Sequence, residues 1–301
     1  MPRTHGLPAN IDSGVSPRSL LPPDAWRALF ARILASVGLP AHDLAPFATG
    51  SDVVWGTPTH VVKLTAPRWA AEIAAEAQIL RTVKPHLGDL TADAVATGEI
   101  EGWPWVVQTR LPGTAVADLL PTLAADQRAS VARQIGALVA RLHAIPAAPD
   151  PGWDAFLAAA RARAPKRDAG CGPVWADGVA GFLASVPLTT EPPVLLHTEI
   201  YDQHVLVDAD TLTVCGLIDF ADGRVGHPLY ETAAVHELMF KGDAAAMAAF
   251  WEGWGRPRPT PREQLAWALS HRFGRLDRHL AIAGDGVAPG DFEALAVALH
   301  G

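Results

Sequence analysis

One stretch, from Val194 to Asp222, limits the possible folds of this chain more than any other. Val205-Leu206-Val207 has the pattern of a short strand, Asp208-Ala209-Asp210 is turn chemistry, and Val214 to Ile218 runs back. In an antiparallel pair the start of one strand lies beside the end of the other. His204 and Asp219 are therefore predicted at one mouth of this hairpin, with Glu199 just upstream, and with His197 and Asp202 adding to a cluster of acids and imidazoles. A carboxylate base near a carboxylate metal ligand is the arrangement that phosphoryl transfer from a magnesium-bound nucleotide requires.

The surrounding pattern predicts an α+β chain in two lobes. Residues 1–20 read as a flexible tail, and Pro22-Pro23-Asp24 opens a helix through Trp26, Leu29, Ile33 and Leu34. Phe47 to Leu64 reads as strands broken by Gly56-Thr57-Pro58, residues 68–83 as a helix, and Trp103 to Leu111 as another strand. Beyond Pro112-Gly113 the chain turns helical: Val131, Ile135, Leu138 and Leu142 recur at helical spacing, and residues 230–301 also read as helices. The expected division is thus a tail (1–20), an antiparallel-sheet lobe with one main helix (21–111), and a larger, mostly helical lobe (112–301).

Composition narrows the partners. With 49% hydrophobic and 19% charged residues the chain is a globular protein, and no apolar run approaches the roughly 20 residues of a membrane span. The first 25 residues lack the apolar core of a signal peptide, and Cys171 and Cys215 make no disulfide framework, so a cytoplasmic protein is expected. A net charge of −8 disfavours nucleic-acid backbones and mildly favours cationic ligands.

Only four lysines occur, at 63, 84, 166 and 241, and Lys63 lies between apolar residues of a strand. Such a lysine can bind phosphate as a point charge if a carboxylate holds it. On the following helix Trp69, Ile73, Ala77 and Leu80 form one apolar stripe. At roughly 100° per residue, Glu76 falls about 55° from its centre and Glu72 about 95°. Glu76 is therefore the expected partner. Gly50-Ser51-Asp52, between two strands, is where backbone amides can cover phosphate, and no Gly-x-x-x-x-Gly-Lys-Ser/Thr run is present.

The pattern His197-Thr198-Glu199, four residues, His204, Val205-Leu206-Val207 and later Ile218-Asp219-Phe220 resembles the catalytic region of the aminoglycoside phosphotransferase family. Those small-molecule kinases with a protein-kinase-like fold usually carry His-Gly-Asp, four residues, Asn, and Ile-Asp-Phe or Ile-Asp-Trp. The resemblance spans residues 40–240 and marks a divergent member, with Glu199 at the catalytic Asp position and His204 at the metal-binding Asn position. It implies Glu199 and Asp219 as catalytic residues, with Asp202 an alternative base in a remodelled loop. It implies Asp219 and His204 as ligands of Mg (Mn possible), and ATP or GTP bound by Lys63, Glu76, Gly50, Ser51, Gln108 and Arg110, the last two from the hinge. His204 is equally open to donating to a phosphate, holding Glu199, or packing. His197 takes a scaffold role in that family, and Gly226-His227-Pro228-Leu229-Tyr230-Glu231 resembles its Gly-Asp-Pro brace. His236, Glu237, His271, Arg272, Arg275 and Asp277 fall on the helices that line the acceptor pocket there, and Asp222 and Arg224 read as local structure. The implied activity is O-phosphorylation of an antibiotic, an aminoglycoside or another sugar- or nucleoside-containing product, hence antibiotic resistance. The alternatives are a kinase-like binding protein with impaired catalysis and a choline- or homoserine-type metabolite kinase.

Overall fold

The computed structural model describes residues 6–11, 14–48, 50–188 and 190–301. The chain divides into two compact units, one of residues up to Pro112 together with Cys215–Asp222, the other of Gly113–Val214 and Gly223–Gly301. The segment carrying Asp219 thus belongs with the N-terminal unit, a return that the expected linear division did not contain.

The first unit is built on an antiparallel sheet in the order β1 (Ala45–Pro46), β2 (Val53–Gly56), β3 (His60–Leu64), β5 (Trp103–Thr109), β4 (Ala94–Ile100). Strand alternation gives it two faces. Val53, Trp55, Val62, Leu64, Trp103, Trp105 and Val107 bury one face against Trp26, Phe30, Ile33 and Leu34 of α1 (Pro23–Ser36). Phe30 stacks on Trp55 with ring centroids 5.7 Å apart. Gly98 is required there, because a Cβ would strike the Trp105 indole. On the opposite face Val106 packs with Ile73 and Ala77 of α2 (Ala70–Leu87). The segment expected to be a loose tail is instead engaged by this unit: Leu7 joins its core, Trp103 Nε1 donates to Pro8 O at 2.9 Å, and Trp26 Nε1 to Arg18 O at 3.0 Å.

The second unit is mostly helical, with α3 (Val116–Leu119), α4 (Ala125–His143), α5 (Trp153–Arg167), α6 (Pro173–Ser185), α7 (Thr232–Ala234), α8 (Ala244–Trp254), α9 (Pro261–Ser270), α10 (Leu276–Ala283) and α11 (Phe292–His300). Gly136 and Gly253 let α4 and α8 approach backbone to backbone; a Cβ on either would strike the other helix's main chain. A second core gathers Trp175, Val179, Phe182, Leu265, Leu269, Phe292 and Leu295. Its short strands include β6 (Thr114–Ala115), paired with β8 (Val205–Asp208), and β7 (Val194–Leu196), paired with β10 (Arg224–Gly226). The turn after β8 forms as its residues predict: the Asp208 carboxylate accepts from the N–H groups of Asp210 and Thr211, and Leu212 N donates to Asp208 O. Strand β9 (Thr213–Leu217) follows. Among the described residues no helix is long and apolar enough to cross a membrane, and both cysteines are free thiols.

Candidate active site

The first unit contains a buried cation inside a ring of carboxylates. Lys63 Nζ lies 2.8 Å from Asp219 Oδ1, 3.2 Å from Glu76 Oε2 and 3.4 Å from Asp52 Oδ2. The register explains the arrangement. Lys63 pairs with Val54 on β2 and Val106 on β5, so Asp52 and Gln108, each two residues from one of those partners, share its face of the sheet. That face meets α2, where Glu76 points inward as its wheel position predicts, and Gln108 Nε2 donates to Glu76 Oε1 at 2.9 Å. Burial alone would pull the Lys63 ammonium down, but Glu76, Asp219 and Asp52 together hold it well above its ordinary value. Burial pushes the Glu76 carboxyl up against the opposing pull of Lys63, with Asp219 adding to the rise.

Asp219 sits at φ +66, a left-handed conformation that Asp tolerates better than most residues. It aims Oδ1 at Lys63 while the side chain stays 35% exposed. The family resemblance sets the main chain of Gln108 and Arg110 beside the nucleotide base; the Gln108 side chain donates to Glu76. Arg110 reaches back to brace the β2–β3 turn: its N–H donates to Thr59 O at 2.8 Å, Nη1 to Thr57 O at 3.0 Å, and its guanidinium lies over the Phe47 ring. In the loop before β2, Gly50 has φ +98 and Ser51 is exposed. Thr49 of that loop lies outside the described residues. Arg18 holds the loop's ends, donating to Phe47 O at 2.8 Å and Asp52 O at 3.0 Å. Its position in the first 20 residues gave no sequence signal of this.

In the second unit the loop after β7 is pinned through its backbone. The buried Glu231 carboxylate accepts from the N–H groups of His197 and Thr198. Burial favours its neutral form, but His143, His197 and the Thr198 N–H hold it below the ordinary range. Glu199 N donates to His197 Nδ1 at 3.2 Å, so His197 braces the main chain of its own loop. His204, 8% exposed, places Nδ1 3.0 Å from Glu199 O, so that nitrogen donates to the main chain of Glu199. Asp202 approaches Lys241 at 3.7 Å and accepts Ala117 N through its main-chain oxygen; burial pushes its carboxyl up.

Of the remaining residues, His227 caps Leu229 N and stacks on Trp267. Arg224 pairs with Asp150, Arg275 with Asp277, and buried Glu237 with Arg278 at 2.8 Å. His236 donates from Nε2 to Leu299 O. His271 reaches the pinned loop, with Nε2 2.9 Å from Thr198 O, a contact that sequence spacing did not expose.

The APH model, described as a phosphotransferase enzyme family, matches residues 43–267. The chain belongs to that family. Among solved structures, the phosphotransferase resembles an aminoglycoside-3'-phosphotransferase of type VIII at 21% identity, over 83% of this chain and 98% of that one, with a TM-score of 0.59. It also resembles the GDP and kanamycin complex of APH(2")-IIia at 16% identity, over 90% and 95% of the chains, TM-score 0.67. A third likeness is to APH(3'')-Id from Streptomyces rimosus ATCC10970 in complex with ADP and streptomycin, at 16% identity, over 82% and 98%, TM-score 0.59. These likenesses establish the kinase-like α+β fold of the family.

Three carboxylates facing one ammonium leave this phosphotransferase's cluster with excess negative charge, carried on hard oxygen atoms of Asp219 and Asp52. That donor set fits a magnesium ion, which takes oxygen ligands from one or two carboxylates. The imidazole of His204 is a softer ligand, and its Nδ1 is already turned to the Glu199 carbonyl.

Proposed function

We propose that the protein transfers the γ-phosphate of ATP or GTP to a hydroxyl group of a small molecule. The observation that carries this is the buried Lys63 ammonium held among Glu76, Asp52 and Asp219. A structural lysine has no need of three carboxylates; a lysine that exchanges one of them for phosphate does, because the others keep it charged and aimed. Lys63 thus binds phosphate, Glu76 and Gln108 orient it, and Gly50 and Ser51 provide backbone cover. Asp219 and Asp52 would hold magnesium, which supplies charge neutralisation at the phosphates. Glu199, on a loop fixed at both of its peptide groups, accepts the proton of the acceptor hydroxyl.

The acceptor we propose is an antibiotic of the aminoglycoside type, because related structures hold kanamycin or streptomycin beside GDP or ADP. The test is nucleotide consumption with Mg or Mn, ATP or GTP, and a panel including kanamycin, streptomycin, nucleoside antibiotics, choline and homoserine. ADP or GDP release that depends on one antibiotic and vanishes in Asp219→Ala supports the proposal. Full turnover in Asp219→Ala overturns it, and a response confined to choline or homoserine replaces the acceptor class.

A further inference from the structure

Thr198 occupies φ +71 while almost wholly buried. A β-branched residue is disfavoured in this left-handed region, where glycine is at ease. Such strain persists only where the surroundings over-determine the backbone. Here they do so from two sides. Glu231 accepts from the N–H groups of His197 and Thr198, and His271 Nε2 meets Thr198 O at 2.9 Å.

The chemistry of His271 is fixed by its own partners. Phe273 N donates to Nδ1 at 3.2 Å, so the proton is on Nε2, aimed at the Thr198 carbonyl. The ring lies against Tyr230, centroids 4.4 Å apart, and Tyr230 OH accepts from Arg272 N at 2.8 Å. Burial lowers its pKa to about 4, so the ring stays neutral and keeps this single tautomer at ordinary pH. The charged groups acting on it are Glu231, Arg272 and Arg167, the last donating to His271 O.

We propose that His271 is a positioning residue: by holding the Thr198 carbonyl it locks the strained peptide that presents Glu199, and so sets the geometry of proton acceptance. The proposal rests on Glu199 acting as the base of phosphoryl transfer. The Thr198–Glu199 peptide unit carries both the bonded carbonyl and the Glu199 N–H, so losing the His271 bond leaves the unit held by His197 alone at its other end and weakens its orientation. A displacement of the base near 1 Å costs about 100-fold in rate.

The experiment uses the full chain with His271→Phe, which keeps a ring beside Tyr230 and removes the donor, and His271→Gln, which returns an amide N–H. Hydrogen exchange of the peptide spanning residues 195–201 is measured beside kcat and the nucleotide KM for ATP with Mg. The expected result in His271→Phe is exchange faster by about 10-fold in that peptide alone, kcat lower by about 10- to 100-fold, and an unchanged nucleotide KM. His271→Gln should recover most of both losses. In a Thr198→Gly background the penalty for His271→Phe should shrink, because glycine adopts the left-handed conformation without the strain that the bond to His271 offsets.

Wild-type exchange in His271→Phe overturns the clamp, as does acceleration spread evenly over the chain. Local acceleration with unchanged kcat overturns the positioning role. An absence of turnover in the unmodified protein counts against phosphoryl transfer, and against a positioning role with it, while exchange still decides whether the clamp exists.

Discussion

Replacing Lys63 by methionine keeps the side chain's length and apolar stem while deleting the charge that three carboxylates share. Glu76 is the residue that suffers, since it is 1% exposed and would keep the Gln108 amide as its donor after losing the ammonium. Removing one partner of a buried ion pair costs about 3–5 kcal/mol. Glu76 escapes part of that cost by taking up a proton, so the loss at pH 7.5 should be about 3 kcal/mol. Its folded pKa, already above the ordinary 4.5, rises further in the variant. Between that further-raised value and the wild-type one, the folded variant binds a proton that folded wild type lacks. Its deficit relative to wild type must therefore shrink as pH falls, by about 1.4 kcal/mol per pH unit through the window. Urea unfolding of both proteins at pH 7.5, 6.5 and 5.5 measures this, and acid effects common to both cancel in the difference. A deficit below about 1 kcal/mol at pH 7.5, or one that does not shrink on acidification, would refute the electrostatic description of the cluster.

Three further outcomes are expected. His236 and His271 (each held at about 4), His279 (about 3) and His300 (also held well below its ordinary value by burial) are buried neutral, so they take up protons on unfolding and stability falls as pH drops from 6.5 toward 4. Glu237, raised to about 7 by burial and in contact with His279 at 3.3 Å, opposes this as pH falls from 7 to 4.5; the histidines outnumber it, so urea unfolding should show stability falling between pH 6.5 and 5, and stability that is flat or rises over that range would contradict it. Gly136→Ala should destabilise by about 2–3 kcal/mol in urea unfolding, because its Cβ meets the backbone of Phe250 and Trp254 in α8. Gln108→Leu removes the amide donor from Glu76 and should cost about 1–2 kcal/mol while weakening ATP binding by calorimetry.

Much of the Lys63 cluster was legible in the sequence because it rests on short-range geometry. The wheel position of Glu76 and the strand position of Lys63 are local properties, and the structure joins them at 3.2 Å. Asp52 and Gln108 obey the same alternation, but assigning their face needs the pairing register, which a single strand's pattern does not supply. Arg110 shows the limit of a resemblance: it sets the hinge main chain there, while the bond of the side chain to the Thr57 turn depends on tertiary context. The motif position of His204 left several roles open, and its bond to the Glu199 main chain is one of them, holding Glu199. His271 lies 73 residues from Thr198, too far for any local spacing to connect them. The left-handed Thr198 is hidden for the same reason, since only tertiary bonds hold threonine in a glycine conformation.

Label transfer from nucleotide to acceptor is the most direct test. With γ-labelled ATP or GTP, Mg and the acceptor panel, label should appear on one hydroxyl compound with the unmodified protein and be lost with Asp219→Ala and with Glu199→Ala, both variants remaining folded. Label that stays in the nucleotide under every condition, or that reaches the acceptor equally well in either variant, would contradict phosphoryl transfer by these residues.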